Sequence, residues 1–193
     1  QVGETRYALH LIPSGILYAD KINVLGNGVV IDLAQLVKEI VDLRQRGVAV
    51  SERNLRLSDR AHVVLPYHKL QDALYEKMLA RASGDDRTIG TTGRGIGPCY
   101  ADKALRSTAV RVGDLLNRET LKTRLERIVT VKNSMLAGFA EGCGETYEPI
   151  DAEQIHREIL QQLEIIQPMI CDGTALLHDA IADGKHLLFE GAN

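Results

Sequence analysis

A glycine-rich segment between residues 88 and 98 constrains this chain more than any other feature. Its sequence, TIGTTGRGIGP, places glycine at residues 90, 93, 95 and 97. Glycines at this density are entropically unfavourable unless the backbone needs unusual dihedral angles or must approach a ligand closely. Backbone N–H groups, the Thr91 and Thr92 hydroxyls and the Arg94 guanidinium are suitable donors to a phosphate. The segment therefore predicts an anion-binding loop, with a purely structural glycine turn as the alternative.

The spacing of these glycines differs from that of two well-known phosphate-binding loops. No Lys-Ser or Lys-Thr pair follows Gly97, so the segment is not a Walker A loop. The glycines at 93, 95 and 97 also lack the final spacing of the dinucleotide-binding fingerprint.

Basic residues follow the loop at Lys103, Arg106 and Arg111. If residues 99–106 are helical, Lys103 and Arg106 share one face at a spacing of i and i+3. One interpretation is that they bind a phosphate, either in this subunit or in a neighbouring one. The alternative, which composition alone favours, is a solvent-exposed basic edge.

The pattern of apolar residues predicts a mixed α/β protein with a substantial parallel component. Strands are predicted at 5–12, 22–31, 55–58 and 62–66, and helices at 33–46, 69–82, 119–140 and 151–184, with a break at Pro168. Asp32 is a candidate N-cap for the first helix and Gly47 a stop signal. The Gly26-Asn27-Gly28 interruption predicts a bulge or a close approach of another backbone or a ligand, with an ordinary turn as the alternative. Residues 184–193 return to strand character.

Composition excludes several classes of protein. The chain is 45% hydrophobic and 25% charged with a formal charge of −3, so disordered and collagen-like chains are excluded and no global positive field favours nucleic acid. No apolar run approaches the ~20 residues that span a bilayer, and the first residues lack the pattern of a signal peptide. Cys99, Cys143 and Cys171 have no metal-binding spacing, so we expect free thiols in the cytoplasm.

The remaining candidates for chemistry are individual residues. The histidines have no mutual metal spacing and are expected to be hydrogen-bonded structural residues; they are His10, His62, His68, His156, His178 and His186. Cys99 is either a reactive thiol or, preferably, a small buried residue. Glu190, at the predicted end of a strand, is a candidate through its position only. No metal ligand is predicted.

The loop and its flanks resemble adenylosuccinate synthetases. The segment IGTTGRGIGP is followed by Y-x-D-K-x-x-R and then RVGDL. The segments LHLIPSGIL, LGNGVVID, RL-S before PYH, and LFEGAN also resemble that family, in order and at suitable intervals. The resemblance covers nearly the whole chain, and 117–183 is its least diagnostic part.

The resemblance implies a fold, an activity and partners. The fold would be an α/β nucleotide-binding sheet related to P-loop NTPases, with an inserted, mostly helical region. Residues 1–98 would belong to the α/β domain, 99–183 to the helical region with dimer contacts, and 184–193 to a strand returning to the sheet. The activity would be the GTP- and Mg²⁺-dependent ligation of IMP and L-aspartate in purine biosynthesis, by a homodimer with a shared active site.

The resemblance also implies roles for single residues. Thr92 would bind the IMP 5′-phosphate, supported by Thr91 and the Gly90 backbone. Arg106 would reach the IMP of the partner subunit, and the amide of Asn193 would contact IMP. Lys103 and Arg94 are further possible substrate-binding residues.

Other elements of the family pattern do not occur in this sequence. The GDEGKGK-type segment, with its general-base aspartate, and the GHNAGHT-type loop, with its catalytic histidine, would lie upstream of Gln1. No catalytic residue is therefore predicted here, GTP and Mg²⁺ would be bound mainly by segments outside this chain, and the isolated chain is expected to be inactive. One extra residue between Arg106 and Arg111 leaves the role of Arg111 unassigned. The alternatives are an inactive nucleotide-phosphate-binding or dimerisation module, or a related purine ligase acting on another nucleotide.

Overall fold

The computed structural model describes residues 7, 9–83 and 93–191. Its strands are β1 (Asn23–Leu25), β2 (Val30–Asp32), β3 (Leu55–Ser58), β4 (His62–Val64) and β5 (Ile170–Cys171). Its α-helices are α1 (Leu33–Gln45), α2 (Pro66–Ser83), α3 (Ile96–Leu105), α4 (Arg118–Cys143), α5 (Ala152–Ile166) and α6 (Gly173–Ala182). Short 3₁₀ turns occupy Ser14–Leu17, Val112–Leu116 and Gln167–Met169. The predicted mixed α/β class is confirmed.

The chain divides into two compact units, each assembled from separate segments. Unit 1 contains Gln1–His62, Arg111–Leu116 and Gln161–Asn193, and unit 2 contains Val63–Val110 and Asn117–Leu160. The predicted domains 1–98, 99–183 and 184–193 are continuous stretches of sequence, so they do not correspond one to one with these units. Their boundaries stay a prediction.

Unit 1 is organised by a parallel three-stranded sheet in the order β1-β3-β5. Leu25 pairs with Leu57, and Leu57 pairs with Ile170. The central strand contributes Leu55 and Leu57, both completely buried. Parallel strands buried by neighbouring helices have the continuous apolar character that the sequence shows here.

Helix α1 begins where the sequence predicts and ends one residue before its predicted end, at Gln45. The Asp32 side chain accepts hydrogen bonds from the backbone N–H groups of Ala34 and Gln35, which satisfies two donors that a helix start leaves without a partner. Gly47 follows the helix with φ of +80°, a conformation that favours glycine. Leu33, Leu36, Ile40 and Leu43 are buried along one face of α1.

The strand predicted at 5–12 is wrong for its described residues, since residues 10–12 form a bend rather than a strand. The reason is a buried carboxylate in α1. Glu39 accepts hydrogen bonds of 3.1–3.2 Å from the backbone N–H groups of His10, Leu11 and Ile12. One side chain therefore takes the donors that a neighbouring strand would otherwise bind.

The glutamine variant Glu39→Gln should lower the free energy of unfolding by about 1–3 kcal/mol. It replaces one acceptor oxygen with an NH₂ donor, and an N–H group without a partner in a buried site has roughly that cost. Chemical denaturation measures the change, and Glu164→Gln on the exposed side of α5 is the control. Equal stability of the two variants would contradict the role assigned to Glu39.

Two further predictions near the end of the chain need correction. The helical pattern over 151–184 does break at Pro168, but β5 follows the break and pairs with β3. A two-residue strand is too short to show the alternation by which strands are predicted. The predicted strand at 184–193 does not form in its described part: residues 185–191 have no regular structure, and Leu188 is 93% exposed.

Unit 2 is mostly helical. Helix α2 packs against α4 and against α3, and it begins at Pro66, three residues before the predicted start. Proline is well suited to the first position of a helix because its missing N–H would have no partner there. The apolar core includes Tyr67, Leu74, Leu121, Leu125 and Leu136. No helix among the described residues is long and apolar enough to cross a membrane.

Candidate functional site

The predicted centre of the anion site lies outside the described residues. Gly90, Thr91 and Thr92 fall in the segment 84–92, and Asn193 follows the last described residue. Their predicted roles therefore stay predictions. The structure describes the second half of the glycine-rich loop, from Gly93 onward, and the helix that it leads into.

The described half of the loop has the backbone that its glycines predict. Gly93 and Gly95 have φ values of +61° and +73°. The Gly95 N–H donates to Oδ2 of Asp72 at 3.1 Å, and a Cβ atom at residue 95 would lie 2.7 Å from the carbonyl carbon of His68. Glycine is thus required at residue 95 by both conformation and close packing. The end of the loop is held against the first turns of α2.

The variant Gly95→Ala should lower the free energy of unfolding by roughly 2–4 kcal/mol. It adds a side chain in the left-handed region and forces a contact with backbone atoms. Gly97→Ala is the matched control, because Gly97 lies two residues away with open space around it. That control should be neutral or stabilising by up to ~1 kcal/mol. Similar stabilities in chemical denaturation would refute the close-packing account.

Helix α3 carries the predicted basic residues away from this loop. Gly95 is the N-cap of α3, and the Cys99 N–H donates back to the Gly95 carbonyl at 3.1 Å. Lys103 lies in the last turn, with its ammonium group 5.6 Å from the centre of the Tyr100 ring. Arg94 is exposed beside the loop glycines. The helix ends at Leu105, so Arg106 is its C-cap and only residues 99–105 of the segment 99–106 are helical.

Arg106 has an unusual backbone conformation. It has φ of +68° and ψ of −37°, and among the described residues it is the only one other than glycine with positive φ. The Ser107 N–H donates to the Leu105 carbonyl at 2.9 Å across Arg106, which approximates a classic γ-turn, a rare and strained conformation. The residue is exposed. Strain of this kind at an exposed charged residue is typical of functional positions.

Glycine at residue 106 should therefore be more stable than alanine. Arg106→Gly is expected to exceed Arg106→Ala by about 1 kcal/mol in free energy of unfolding, because only glycine accepts this φ without cost. The same pair of substitutions at Arg94, which lacks a positive φ, should show alanine equal to glycine or better. Thermal and chemical unfolding of the four variants test the difference. The same order at both positions would contradict strain at Arg106.

Arg111, the third predicted basic residue, lies in the other unit. Its backbone N–H donates to Oδ2 of Asp114 at 2.7 Å, and it forms a bridge with His62. These two backbone contacts fix Arg111 at the start of the Val112–Leu116 turn. Lys103 and Arg106, by contrast, lie at the end of α3, in its last turn and at its C-cap.

A buried charged cluster lies next to Lys103, and the sequence did not predict it. His68, Asp102 and Lys132 are 1%, 4% and 4% exposed. The Asp102 carboxylate binds the Nε2 atom of His68 at 3.0 Å through Oδ2, and the ammonium group of Lys132 at 2.8 Å through Oδ1. Gln71 accepts a further hydrogen bond from Lys132 at 3.1 Å. His68 is indeed the hydrogen-bonded structural histidine that was expected, but the sequence contains no signal for its partners.

The pKa values in this cluster favour a neutral histidine beside an ionised aspartate. Burial lowers the pKa of His68 and outweighs the opposite effect of the Asp102 carboxylate. Burial alone would raise the pKa of Asp102, but the hydrogen bonds from His68 and Lys132 outweigh it and lower that pKa. The cluster therefore contains one negative charge, on Asp102, in contact with one positive charge, on Lys132.

Cys99 is a buried residue and not a reactive thiol. It is 2% exposed, and its Sγ atom contacts the Val63 carbonyl at 3.4 Å. Burial, followed by the nearby Asp102 carboxylate, raises the pKa of the thiol to about 12. Because the thiolate is the nucleophile, a thiol with this pKa is inert near neutral pH. All three cysteines lie in the described part of the chain and are free thiols, as expected.

The carboxyl edge of the parallel sheet in unit 1 is closed by hydrogen bonds. Asn27 donates from Nδ2 to the Thr174 hydroxyl at 3.0 Å and accepts from the Ser58 hydroxyl. A Cβ atom at Gly173 would lie 2.7 Å from that of Ser58. Apart from the adjoining residues, no described atom lies within 4 Å of a Cβ placed on Gly26 or Gly28. The Gly26-Asn27-Gly28 interruption is thus a turn, and its asparagine links the ends of neighbouring strands.

Comparisons with known proteins agree with this architecture, a parallel α/β sheet together with a glycine-rich loop that opens a helix. The sequence model of the family described as adenylosuccinate synthetase matches residues 1–193. An adenylosuccinate synthetase from Caldanaerobacter subterraneus is 47% identical over 97% of this chain and 41% of its own length. One from Clostridium botulinum is 46% identical over 99% of this chain and 42% of its own length.

A solved structure gives the same result. The structure of fully ligated adenylosuccinate synthetase from Plasmodium falciparum matches with a TM-score of 0.82 and 32% identity, over 100% of this chain and 41% of that one. Fold and comparisons together define a mixed α/β protein with a parallel sheet. The chain belongs to the adenylosuccinate synthetase family. It spans about two fifths of the length of the relatives that it matches.

Proposed function

We propose that this chain is the central part of an adenylosuccinate synthetase, which joins IMP and L-aspartate at the expense of GTP in AMP biosynthesis. The observation that carries the proposal is the family match over residues 1–193, together with 47% identity to a relative over 97% of the chain. In the implied reaction GTP would transfer a phosphoryl group to the purine 6-oxygen, leaving GDP, and the amine of aspartate would then displace that oxygen as inorganic phosphate. This segment would bind and orient the IMP phosphate, which lowers the entropic cost of that reaction.

The proposed phosphate site is the loop of Gly90, Thr91 and Thr92. The described geometry beside it supports this assignment. Gly95 is packed against α2 and caps α3, so the loop leads directly into the N-terminus of a helix. Helix N-termini favour anions because their backbone N–H groups and the helix dipole point toward the ligand. Arg94, exposed beside these glycines, is a possible additional donor.

Arg106 is proposed to bind the IMP phosphate of the neighbouring subunit in a homodimer. Its exposed position and strained backbone support a functional role. A guanidinium is well suited to bidentate phosphate contacts. Lys103, one turn earlier on α3, is a possible second cation, and Asn193 is proposed to contact IMP through its amide.

The described part of the chain offers no cluster of side chains that would hold a magnesium ion. Magnesium is bound mainly through carboxylate and phosphate oxygens, and within the described ranges no group of three or more His, Cys, Asp or Glu residues is placed to hold a metal ion. Mg²⁺ and GTP are proposed to bind mainly to other segments of the complete protein, so the isolated chain is expected to lack activity. The proposed location is the cytoplasm, consistent with three free thiols.

Mixed dimers of the complete protein test whether the site is shared. Thr92→Val and Arg106→Ala should each weaken IMP binding, by roughly 10- to 150-fold for the arginine, because a charge-assisted phosphate contact is worth ~1.5–3 kcal/mol. Thr92→Ser should retain affinity because it keeps the hydroxyl. A heterodimer of Thr92→Val and Arg106→Ala chains should recover one intact site.

Recovery of IMP-dependent adenylosuccinate formation in verified heterodimers is the expected result. If the arginine acts within its own subunit, every chain carries one defective group whatever its partner, and no activity returns. That outcome would make Arg106 a solvent-exposed basic residue. Absence of adenylosuccinate formation by the complete wild-type protein would overturn the proposed function itself.

A further inference from the structure

The protons of the buried cluster are determined by its hydrogen bonds. The backbone N–H of Leu65 donates to Nδ1 of His68 at 2.9 Å. A backbone N–H can only donate, so Nδ1 carries no proton and the remaining ring proton is on Nε2. That N–H donates to the Asp102 carboxylate at 3.0 Å. His68 is therefore a neutral donor, and Lys132 supplies the charge that balances Asp102.

Such a cluster is an unusual way to stabilise a core. Two buried charges lose their hydration, and replacing a buried ion pair with apolar residues is often neutral or stabilising. The groups are also arranged on three helices: His68 on α2, Asp102 on α3 and Lys132 on α4. Directional hydrogen bonds specify the relative position and rotation of these helices more sharply than apolar contacts do.

Asp102 connects this cluster to both proposed phosphate ligands on α3. It directly precedes Lys103, and its backbone carbonyl accepts the N–H of Arg106 at 2.8 Å. At the other end of α3, Gly95 contacts the backbone of His68 closely. Residues of one cluster thus hold both the end of the glycine-rich loop and the residue at which α3 stops.

We propose that the His68–Asp102–Lys132 cluster positions Lys103 and Arg106 for phosphate binding by fixing α3 against α2 and α4. This inference rests on the proposed function, because it concerns the IMP phosphate site. The three residues do not touch the substrate. They influence phosphate binding through the position of Arg106, whose backbone N–H donates to the Asp102 carbonyl.

The experiment measures the affinity of the complete protein for IMP by titration calorimetry. Lys132→Met should weaken IMP binding about tenfold and leave GTP affinity within about threefold. Lys122→Met is the matched control on α4, because Lys122 forms an exposed ion pair with Glu153, and it should change neither affinity. Asp102→Asn combined with Lys132→Met removes both charges and keeps an acceptor for His68, so it provides a second variant that folds if the single variant does not.

A double-mutant cycle separates positioning from general destabilisation. In an Arg106→Ala background, Lys132→Met, or the charge-free pair of substitutions, should have little further effect on IMP affinity, since the residue that it positions is gone. Folded cluster variants that bind IMP as tightly as wild type would overturn the inference, as would an equal loss in both backgrounds. If Arg106→Ala weakens IMP binding but the cluster variants do not, only this inference fails. If the wild-type protein binds no IMP, the proposed function fails with it.

Discussion

The described site depends on the contacts of the Asp102 carboxylate with His68 and Lys132. One oxygen accepts from a histidine whose tautomer is set by the backbone of Leu65, and the other accepts from a lysine that crosses from α4. Removing either partner would leave a buried charge or a buried polar group without its complement, which is strongly destabilising. The position of α3 in unit 2, and with it the direction of Lys103 and Arg106, follows from this bridge.

Both ends of α3 have a locally unfavourable feature, which is close packing at Gly95 and a strained backbone at Arg106. The helix starts at a glycine that no larger residue can replace without contacting α2, and it stops at an arginine with a positive φ. Both features are unfavourable locally and are maintained by the contacts of the surrounding unit. A loop held at one end and a cation held at the other are what a phosphate site needs, because preorganised donors lose little entropy when the ligand binds.

Much of the fold was predictable because local signals agreed with it. Helix α1 combines an aspartate cap, a regular apolar face and a terminal glycine, and β3 has the branched and apolar residues of a buried strand. The errors occurred where long-range contacts decide the structure. Glu39 takes the backbone donors of residues 10–12, although it lies on a helix far along the chain, and β5 exists only because it pairs with β3. Neither contact leaves a pattern in the sequence.

The site was predicted in part, for the same physical reason. A run of glycines near threonines and arginine shows its chemistry directly in the sequence, whereas Lys132 looks like any other charged residue on a long helix until α3 places Asp102 against it. The distance of 2.8 Å between them is a property of the tertiary structure only. The family resemblance predicts which residues bind the substrate, and the structure shows a contact between Asp102 and the backbone of one of them, Arg106.

A crystal structure of the complete protein with IMP tests the central claim most directly. The expected result is a 5′-phosphate within hydrogen-bonding distance of the Thr92 hydroxyl, with the Arg106 guanidinium of the other subunit on the same phosphate and an unchanged contact between Asp102 and Lys132. A phosphate bound elsewhere, with the loop at 88–98 empty at saturating IMP, would contradict it.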